Sequence, residues 1–221
     1  MIQARGLACD SPEGLPLVEG LDLAVRRGGN LLVTGASGSG KSQLLKVLAG
    51  VEQPQRGEVR IGGVTVWPGD GAPALVGQVR VGFAFAAGGL LSNLSLADNA
   101  ALPLRFLGVP GAEAARRAGA ALERLDLGPV SHLRPHAVSG TARKHANLAR
   151  VLALEPELVF LDEPLGGLDA TDRGAALDLI QAWAGDPACT LVVAVEEAGP
   201  LDGLAAEHLR LSPAPAPMEP T

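Results

Sequence analysis

Apolar runs bounded by glycine and proline punctuate this chain, and strand-like and helix-like periods alternate along most of it. The first 28 residues or so read as short strands joined by turns. Ser11-Pro12-Glu13-Gly14 is turn chemistry, and Leu21-Asp22-Leu23-Ala24-Val25 alternates as a strand with one face buried. Arg27-Gly28-Gly29 turns the chain into the apolar run Leu31-Leu32-Val33-Thr34. Gln43 to Ala49 has a helical pattern that stops near Gly50. Pro54-Gln55-Arg56-Gly57 is a turn, and Glu58 to Val66 gives two short strands broken at Gly62-Gly63. Trp67 to Gln78, rich in glycine and proline, reads as a loop, and Val79 to Phe85 as a further strand.

The character changes after Ala86. Ser95-Leu96-Ala97-Asp98 resembles a capping box opening a helix, and Ala112 to Leu125 is Ala-rich and suited to helix. Pro135 to Glu155 reads as a loop and then a helix that begins near Ser139, whose hydroxyl can cap it. Residues 90–154 therefore form a helical insertion in an otherwise alternating α/β chain. Leu158-Val159-Phe160-Leu161 is a continuous apolar run, as a central parallel strand requires. Asp169 or Thr171 can cap a helix running to about Ala184, and Thr190 to Val195 is a second buried strand. This organisation predicts one domain over residues 1–211, followed by an extended, disordered tail over 212–221.

Chemistry enters at the junction of the first buried strand and the first helix. Gly35-Ala36-Ser37-Gly38-Ser39-Gly40-Lys41-Ser42 fits G-x-x-x-x-G-K-[ST] in the strand–loop–helix context that a phosphate loop needs. Glycines allow successive N–H groups to turn inward on phosphate oxygens, and the helix N-terminus adds partial positive charge. Lys41 would reach the β- and γ-phosphates, and the Ser42 hydroxyl would ligate Mg²⁺. The expected ligand is a nucleoside triphosphate.

A second centre lies at the carboxyl end of the central strand, where Asp162 and Glu163 follow four apolar residues. Ligands of α/β sheets bind in the crevice outside such strand ends. Asp162 is placed to hold Mg²⁺, and Glu163 to polarise the water attacking the γ-phosphate.

Composition narrows the partners. A content of 47% apolar residues supplies a core, and a net charge of −6 argues against the broad basic face of a nucleic-acid binder. Cys9 and Cys189, two cysteines without metal-ligand spacing, read as buried or free thiols of a reducing compartment. No apolar run reaches the length of a membrane span, and the N-terminus lacks the pattern of a signal peptide. The expected location is cytoplasmic, with any membrane link supplied by a partner.

The order of these parts, with Val138-Ser139-Gly140-Thr141-Ala142 between them and Glu163-Pro164 followed by Gly166-Gly167-Leu168-Asp169, resembles the ATP-binding cassette ATPases of ABC transporters over residues 2–211. The resemblance implies an α/β P-loop NTPase fold with an N-terminal antiparallel β subdomain and an inserted helical subdomain. It implies ATP as the nucleotide, held by Gly35, Ala36, Ser37, Gly38, Ser39, Gly40, Lys41, Ser42 and Gln43, with Ser42 and Asp162 on Mg²⁺ and Glu163 catalytic. It further implies head-to-tail dimerisation with a second cassette, alike or different, in which Ser139 and Gly140 address the partner's ATP and Asp169 lies at the interface. An integral membrane permease is the other expected partner, with the chain peripheral on the inner face of the membrane. The stretch Gly89 to Asn99, with Leu102-Pro103-Leu104-Arg105 after it, looks most like the ATPases of bacterial lipid importers of the Mce/Mla type.

Departures from the family pattern concentrate on hydrolysis. After the strand ending in Phe85 the family places a glutamine; here stands Ala86, with no polar side-chain atom. In the signature, Thr141 replaces the second glycine and Ala142 the glutamine, adding a β-branch where backbone must approach phosphate. Glu196 stands where the family has its switch histidine; ionised, it accepts hydrogen bonds and repels phosphate. Cys9 to Pro16 contains no aromatic residue for adenine to stack on, a loss of about 1–2 kcal/mol on the scale of aromatic contacts. The expectation is an ATP-binding subunit with impaired hydrolysis, unless Glu197 or a partner's residues compensate. The alternatives are a non-hydrolysing regulatory or structural subunit, and a soluble cassette ATPase outside transport. His132, His136 and His145, Trp67 and Trp183, and Arg116-Arg117 read as surface or packing residues. Arg143-Lys144 reads as facing nucleotide, facing the membrane subunit, or as a solvated helix face.

Overall fold

Two sheets with one helix between them organise the chain. The computed structural model describes residues 1–11, 14–86, 88–169 and 171–212. Strands β1 (Ile2–Asp10), β2 (Pro16–Val25), β4 (Arg56–Ile61) and β5 (Val64–Trp67) form an antiparallel sheet in the order β2-β1-β4-β5. Between β2 and β4 in sequence come β3 (Asn30–Thr34), the phosphate loop and helix α1 (Lys41–Leu48). Strand β3 belongs to a parallel sheet with β6 (Val81–Ala84), β7 (Leu158–Asp162), β8 (Thr190–Val195) and β9 (Glu207–Arg210), in the order β6-β7-β8-β3-β9.

Three helices, α2 (Leu96–Phe106), α3 (Gly111–Glu123) and α4 (Gly140–Ala153), intervene between β6 and β7, and α5 (Arg173–Gly185) between β7 and β8. Parallel strands need such crossovers, which cover the sheet and give its strands their continuous apolar runs.

Side chains alternate across a strand, and here the alternation divides two cores. Leu31, Val33, Leu158, Phe160, Val192 and Ala194 pack with α1 and the antiparallel sheet. Leu32, Val159, Leu161, Leu191, Val193 and Val195 face the helical side, where α2 to α5 contribute Leu96, Leu104, Ala118, Leu122, Ala149 and Ile180. β7 is buried along its full length, as its run of apolar residues predicts.

Local signals hold at several element ends. Ser95 Oγ accepts the Asp98 N–H at 3.0 Å and donates to Asp98 Oδ2 at 2.7 Å, so Ser95 caps α2. Ser139 Oγ accepts the Ala142 N–H at 3.1 Å and caps α4. Gly50 has φ +77°, and a Cβ there would stand 2.7 Å from the Ala72 nitrogen, so glycine is needed where α1 ends.

Other boundaries differ from those read along the chain. The strand expected over Val79 to Phe85 is limited to β6, because the Val79 N–H bonds to the Leu75 carbonyl and sheet pairing begins at Val81 opposite Leu158. The loop from Trp67 to Gln78 contains a 3₁₀ turn over Ala72–Leu75. β2 starts earlier, at Pro16, which an edge strand tolerates because its outward backbone needs no partner. Neither Asp169 nor Thr171 is the cap residue of α5; that position is Asp172. Asp169 Oδ1 instead accepts the N–H groups of Thr171 at 3.0 Å and Asp172 at 2.9 Å. The turn after β1 closes through Gly14 N–H to the Ser11 carbonyl at 2.9 Å, while Pro12 and Glu13 lie outside the described residues. The tail expected to be disordered also lies outside them from residue 213 onward.

Candidate nucleotide site

The sheet order explains how distant segments meet. β8 lies between β7 and β3, so the carboxyl ends of these strands bring Asp162 and Glu163, Glu196, and the phosphate loop to one edge. The loop itself is tightly built. A Cβ on Gly35 would stand 2.6 Å from Ser39 Oγ and 2.7 Å from the Leu211 carbonyl oxygen. Gly40 has φ +91°, and a Cβ on it would meet Leu17 of β2 at 2.8 Å. No larger residue fits either position without moving backbone. Ala36, Ser37 and Gly38 are exposed at the crest, and Gln43 and Ser42 are partly exposed in the first turn of α1.

Lys41 lies inside this loop. Its side chain is only 6% exposed, and Nζ donates to the carbonyls of Gly35 at 2.8 Å and Ala36 at 3.1 Å. The same Nζ stands 3.7 Å from Glu163 Oε1. Glu163 takes a left-handed backbone, φ +45°, with its N–H bonded to the Ala194 carbonyl at 2.9 Å. Burial pushes its carboxyl above the ordinary range. The charges of Asp162 and Glu196 push it further up, against the downward pull of Lys41 and Lys144. A carboxyl so raised is better matched to accepting a proton near neutral pH.

This shift has a stability consequence. The unfolded chain's carboxyl titrates at its ordinary, lower value, so Glu163 favours the folded state in acid and that contribution is lost as pH rises through the window between the two values. Ionised Glu163 therefore destabilises the fold at neutral pH. Glu163→Gln should raise Tm more near pH 8 than near pH 4, read by calorimetry across that range. Equal Tm differences at both pH values would contradict the assignment.

The residues fit a hard divalent cation. Asp162 is buried, and its Oδ1 has no hydrogen-bond partner among the described residues. An unpaired buried carboxylate oxygen is costly, and a cation bound by oxygen donors offsets that cost. Ser42 supplies a hydroxyl from the first turn of α1, so Ser42 and Asp162 are the oxygen pair suited to Mg²⁺. Ser39 Oγ is likewise buried without a partner, within the loop that would receive phosphate.

Ser139, Gly140 and Asp169 are exposed, and among the described residues no hydrogen bond joins them to the phosphate loop of their own chain. Thr141, in the place of a family glycine, donates from Oγ1 to Asp172 Oδ2 at 2.7 Å. Glu196 and Glu197 are exposed beside the loop, in a cleft they share with His208 and Arg210 of β9. His208 Nε2 is 2.9 Å from Thr34 Oγ1. His132 and His136 are exposed; His145 is buried, with Nε2 3.2 Å from the Asp172 carbonyl, so the trio is dispersed rather than gathered on a metal. Both cysteines are buried and free, their thiols pushed up to about 11 at Cys9 and about 12 at Cys189 by burial.

Two residues of α4, Asn147 and Arg150, carry roles that the sequence pattern did not single out. Asn147 Nδ2 donates to the Phe85 carbonyl at 3.0 Å, and Arg150 donates to the Gly89 carbonyl and to Asn147 Oδ1. These tie the segment around Ala86 to the signature helix through its backbone. Lys144 Nζ donates to the Glu163 and Gly166 carbonyls at 2.7 and 2.6 Å, so this half-buried lysine is held against the turn after β7. An Arg/Lys pair in a polar helix gives no local sign of this, because its acceptors lie 19 and 22 residues away.

Known proteins carry the same architecture. The ATP-binding cassette MJ0796, in a dimeric structure of a post-hydrolysis state bound to ADP and Pi, superimposes with a TM-score of 0.87 over 96% of this chain and 94% of that one, at 23% identity. A lipoprotein-releasing system ATP-binding protein, LolD, of Chromohalobacter salexigens is 34% identical over 205 residues, covering 90% of this chain and 86% of its own. An uncharacterized ABC transporter ATP-binding protein of Thermotoga maritima is 37% identical over 165 residues, 74% and 70% of the two chains. The family described as ABC transporter matches residues 18–166, which include the phosphate loop, the signature and the Asp162-Glu163 pair. With two thirds of its length matched and its fold that of a cassette, this chain belongs to the ABC transporter family, as an ATP-binding subunit.

Proposed function

We propose that this chain binds Mg-ATP between its own phosphate loop and the signature of a second cassette, couples that closure to a membrane permease, and hydrolyses ATP slowly. The observation that carries the reading is the placement of Lys41 inside the loop, 3.7 Å from the raised Glu163 carboxyl. Lys41 would neutralise the β- and γ-phosphates; Ser42 and Asp162 would hold Mg²⁺, which supplies charge neutralisation to the phosphoryl group when bound. Glu163 would orient the attacking water and take its proton. The N-terminus of α4, with Ser139 and Gly140 exposed, offers N–H groups to the partner's γ-phosphate. Among the described residues no helix is long and apolar enough to cross a membrane, so attachment to the inner face would run through the permease.

The slow-turnover part rests on three side chains. Ala86 supplies no polar contact, Glu196 places negative charge beside the reacting phosphate, and Thr141 brings a β-branched side chain to the signature. In a head-to-tail pair, Ala86 and Glu196 affect the chain's own site and Thr141 the partner's, so a partner with complete motifs would leave each site partly equipped. The relatives reported above carry lipoprotein-release and uncharacterized-transporter names, and none carries a lipid-import name, so the importer resemblance of residues 89–105 is not taken further. A lipoprotein is the cargo class that the first relative's name suggests.

Mg-dependent phosphate release and ATP binding, measured on the purified chain, test this reading. Binding with release below about 1 s⁻¹, the low end for ordinary enzymes, is expected. The double variant Ala86→Gln, Glu196→His should then release phosphate at least about tenfold faster, since one donor at a developing charge commonly carries that much. Turnover in the ordinary range by the unmodified chain would overturn the slow-hydrolysis part. Binding with no release from either form would favour a regulatory, non-hydrolysing subunit.

A further inference from the structure

A lysine ammonium ordinarily faces solvent or pairs with a carboxylate. Lys144, half-buried, is bonded to backbone carbonyls instead. It is partly buried on α4, with its charge disfavoured by that burial, and no ion pair is formed by it among the described residues. Two of its donors go to main-chain carbonyls of the turn after β7, Glu163 at 2.7 Å and Gly166 at 2.6 Å. The Glu163 carbonyl also accepts the Gly166 N–H at 3.1 Å, so Lys144 staples a turn whose first residue is the proposed base.

That first residue is strained. Glu163 has φ +45°, a left-handed conformation that is costly for a residue with a Cβ. It persists where surrounding bonds over-determine it. Here those bonds are the Ala194 carbonyl on the Glu163 N–H and the Lys144 ammonium on the Glu163 carbonyl. A change in the carbonyl's direction rotates the peptide and re-aims the side chain standing 3.7 Å from Lys41 Nζ.

The far end of the same segment is held by the same helix. Thr141 Oγ1 donates to Asp172 Oδ2 at 2.7 Å, and His145 Nε2 lies 3.2 Å from the Asp172 carbonyl. Residues 163–172 are thus strapped to α4 at both ends, with exposed Asp169 between them. Lys144 is four residues, about one helical turn, from Gly140 at the exposed N-terminus of α4.

We propose that Lys144 is a positioning residue that transmits the position of the signature helix to the Glu163 backbone, coupling the partner's ATP site to the chain's own. The coupling half of this inference rests on the proposed dimeric function; the clamp on Glu163 does not. When α4 shifts on closing over the partner's nucleotide, the ammonium carries the Glu163 and Gly166 carbonyls with it. The base of one site then takes its working orientation only when the other site is engaged.

The test compares the unmodified chain with Lys144→Met, which keeps length and loses charge, Lys144→Gln, and Lys144→Arg, which retains donors. Hydrogen exchange of the amides of residues 165–168 should quicken at least about tenfold in the Met and Gln variants, with residues 190–195 unchanged as a sign of an intact fold. Lys144→Arg should recover most of the protection. Mg-ATP affinity should stay within about twofold, while single-turnover phosphate release at saturating ATP falls at least about tenfold. The Hill coefficient for ATP should fall toward one, a readout that a merely structural lysine would not move. Unchanged exchange over 165–168 in both neutral variants overturns the clamp, and a Hill coefficient unaltered by the substitutions overturns the coupling. If the unmodified chain binds no Mg-ATP, the proposed function fails, and the exchange comparison still decides the clamp.

Discussion

Replacing Lys41 with alanine should lower Mg-ATP affinity by about 100-fold or more, measured by calorimetric titration. Two losses combine. A nearly buried ammonium beside phosphate makes charge-assisted hydrogen bonds worth about 1.5–3 kcal/mol each, and every 1.4 kcal/mol is tenfold in affinity. The amine also holds the carbonyls of Gly35 and Ala36 inward, so its removal releases the brace of the loop. Lys41→Arg should not restore binding, since a planar fork does not reproduce a point charge inside this loop. Affinity within a few-fold of the unmodified chain would mean that nucleotide binds elsewhere. In the same variant the Glu163 carboxyl loses its principal downward pull and should titrate higher still.

The second large effect is on stability. Phe160 is fully buried in the middle of β7, flanked on both sides by paired strands, with its ring 6.0 Å from that of Phe83 and nearly parallel at 21°. Truncation to alanine leaves a cavity in a sheet that cannot collapse around it, and such changes cost about 3–5 kcal/mol. Against a usual total of 5–15 kcal/mol this is a large share. The urea midpoint should fall with little change in slope. Because β7 ends on Asp162 and leads into Glu163, nucleotide affinity should fall as well, by less than in the Lys41 variant. An unchanged midpoint would show that the parallel sheet is not the stability-determining core.

Much of this was legible where the signal is local. Gly35 to Ser42 carries its conformation in its own residues, and the caps Ser95 and Ser139 satisfy N–H groups three residues on. The run Leu158 to Leu161 is apolar throughout because both faces of β7 are covered, and that too can be read from four letters. What was hidden depends on distant partners. Short β9 gains its place only by pairing beside β3, 176 residues away in sequence, and Pro16 is admissible only because β2 lies at an edge. Lys144, Asn147 and Arg150 all look like polar residues of a helix surface, and their acceptors are carbonyls whose identity no side-chain pattern encodes. The same reason displaced the start of α5: Asp169 had the chemistry of a cap, but its carboxylate is engaged by Thr171 and Asp172 in the turn before the helix.

One contact has an optical use. The chain has no tyrosine and two tryptophans, so its intrinsic fluorescence comes from Trp67 and Trp183 alone. Trp67 is buried in the core under α1, and its indole Nε1 donates to the Val47 carbonyl at 3.2 Å, in the last turn of the helix that begins with Lys41. Trp183 is on α5, in the other core. A Trp183→Phe chain would emit from a single indole hydrogen-bonded to the helix of the phosphate loop, giving nucleotide arrival a label-free spectral readout.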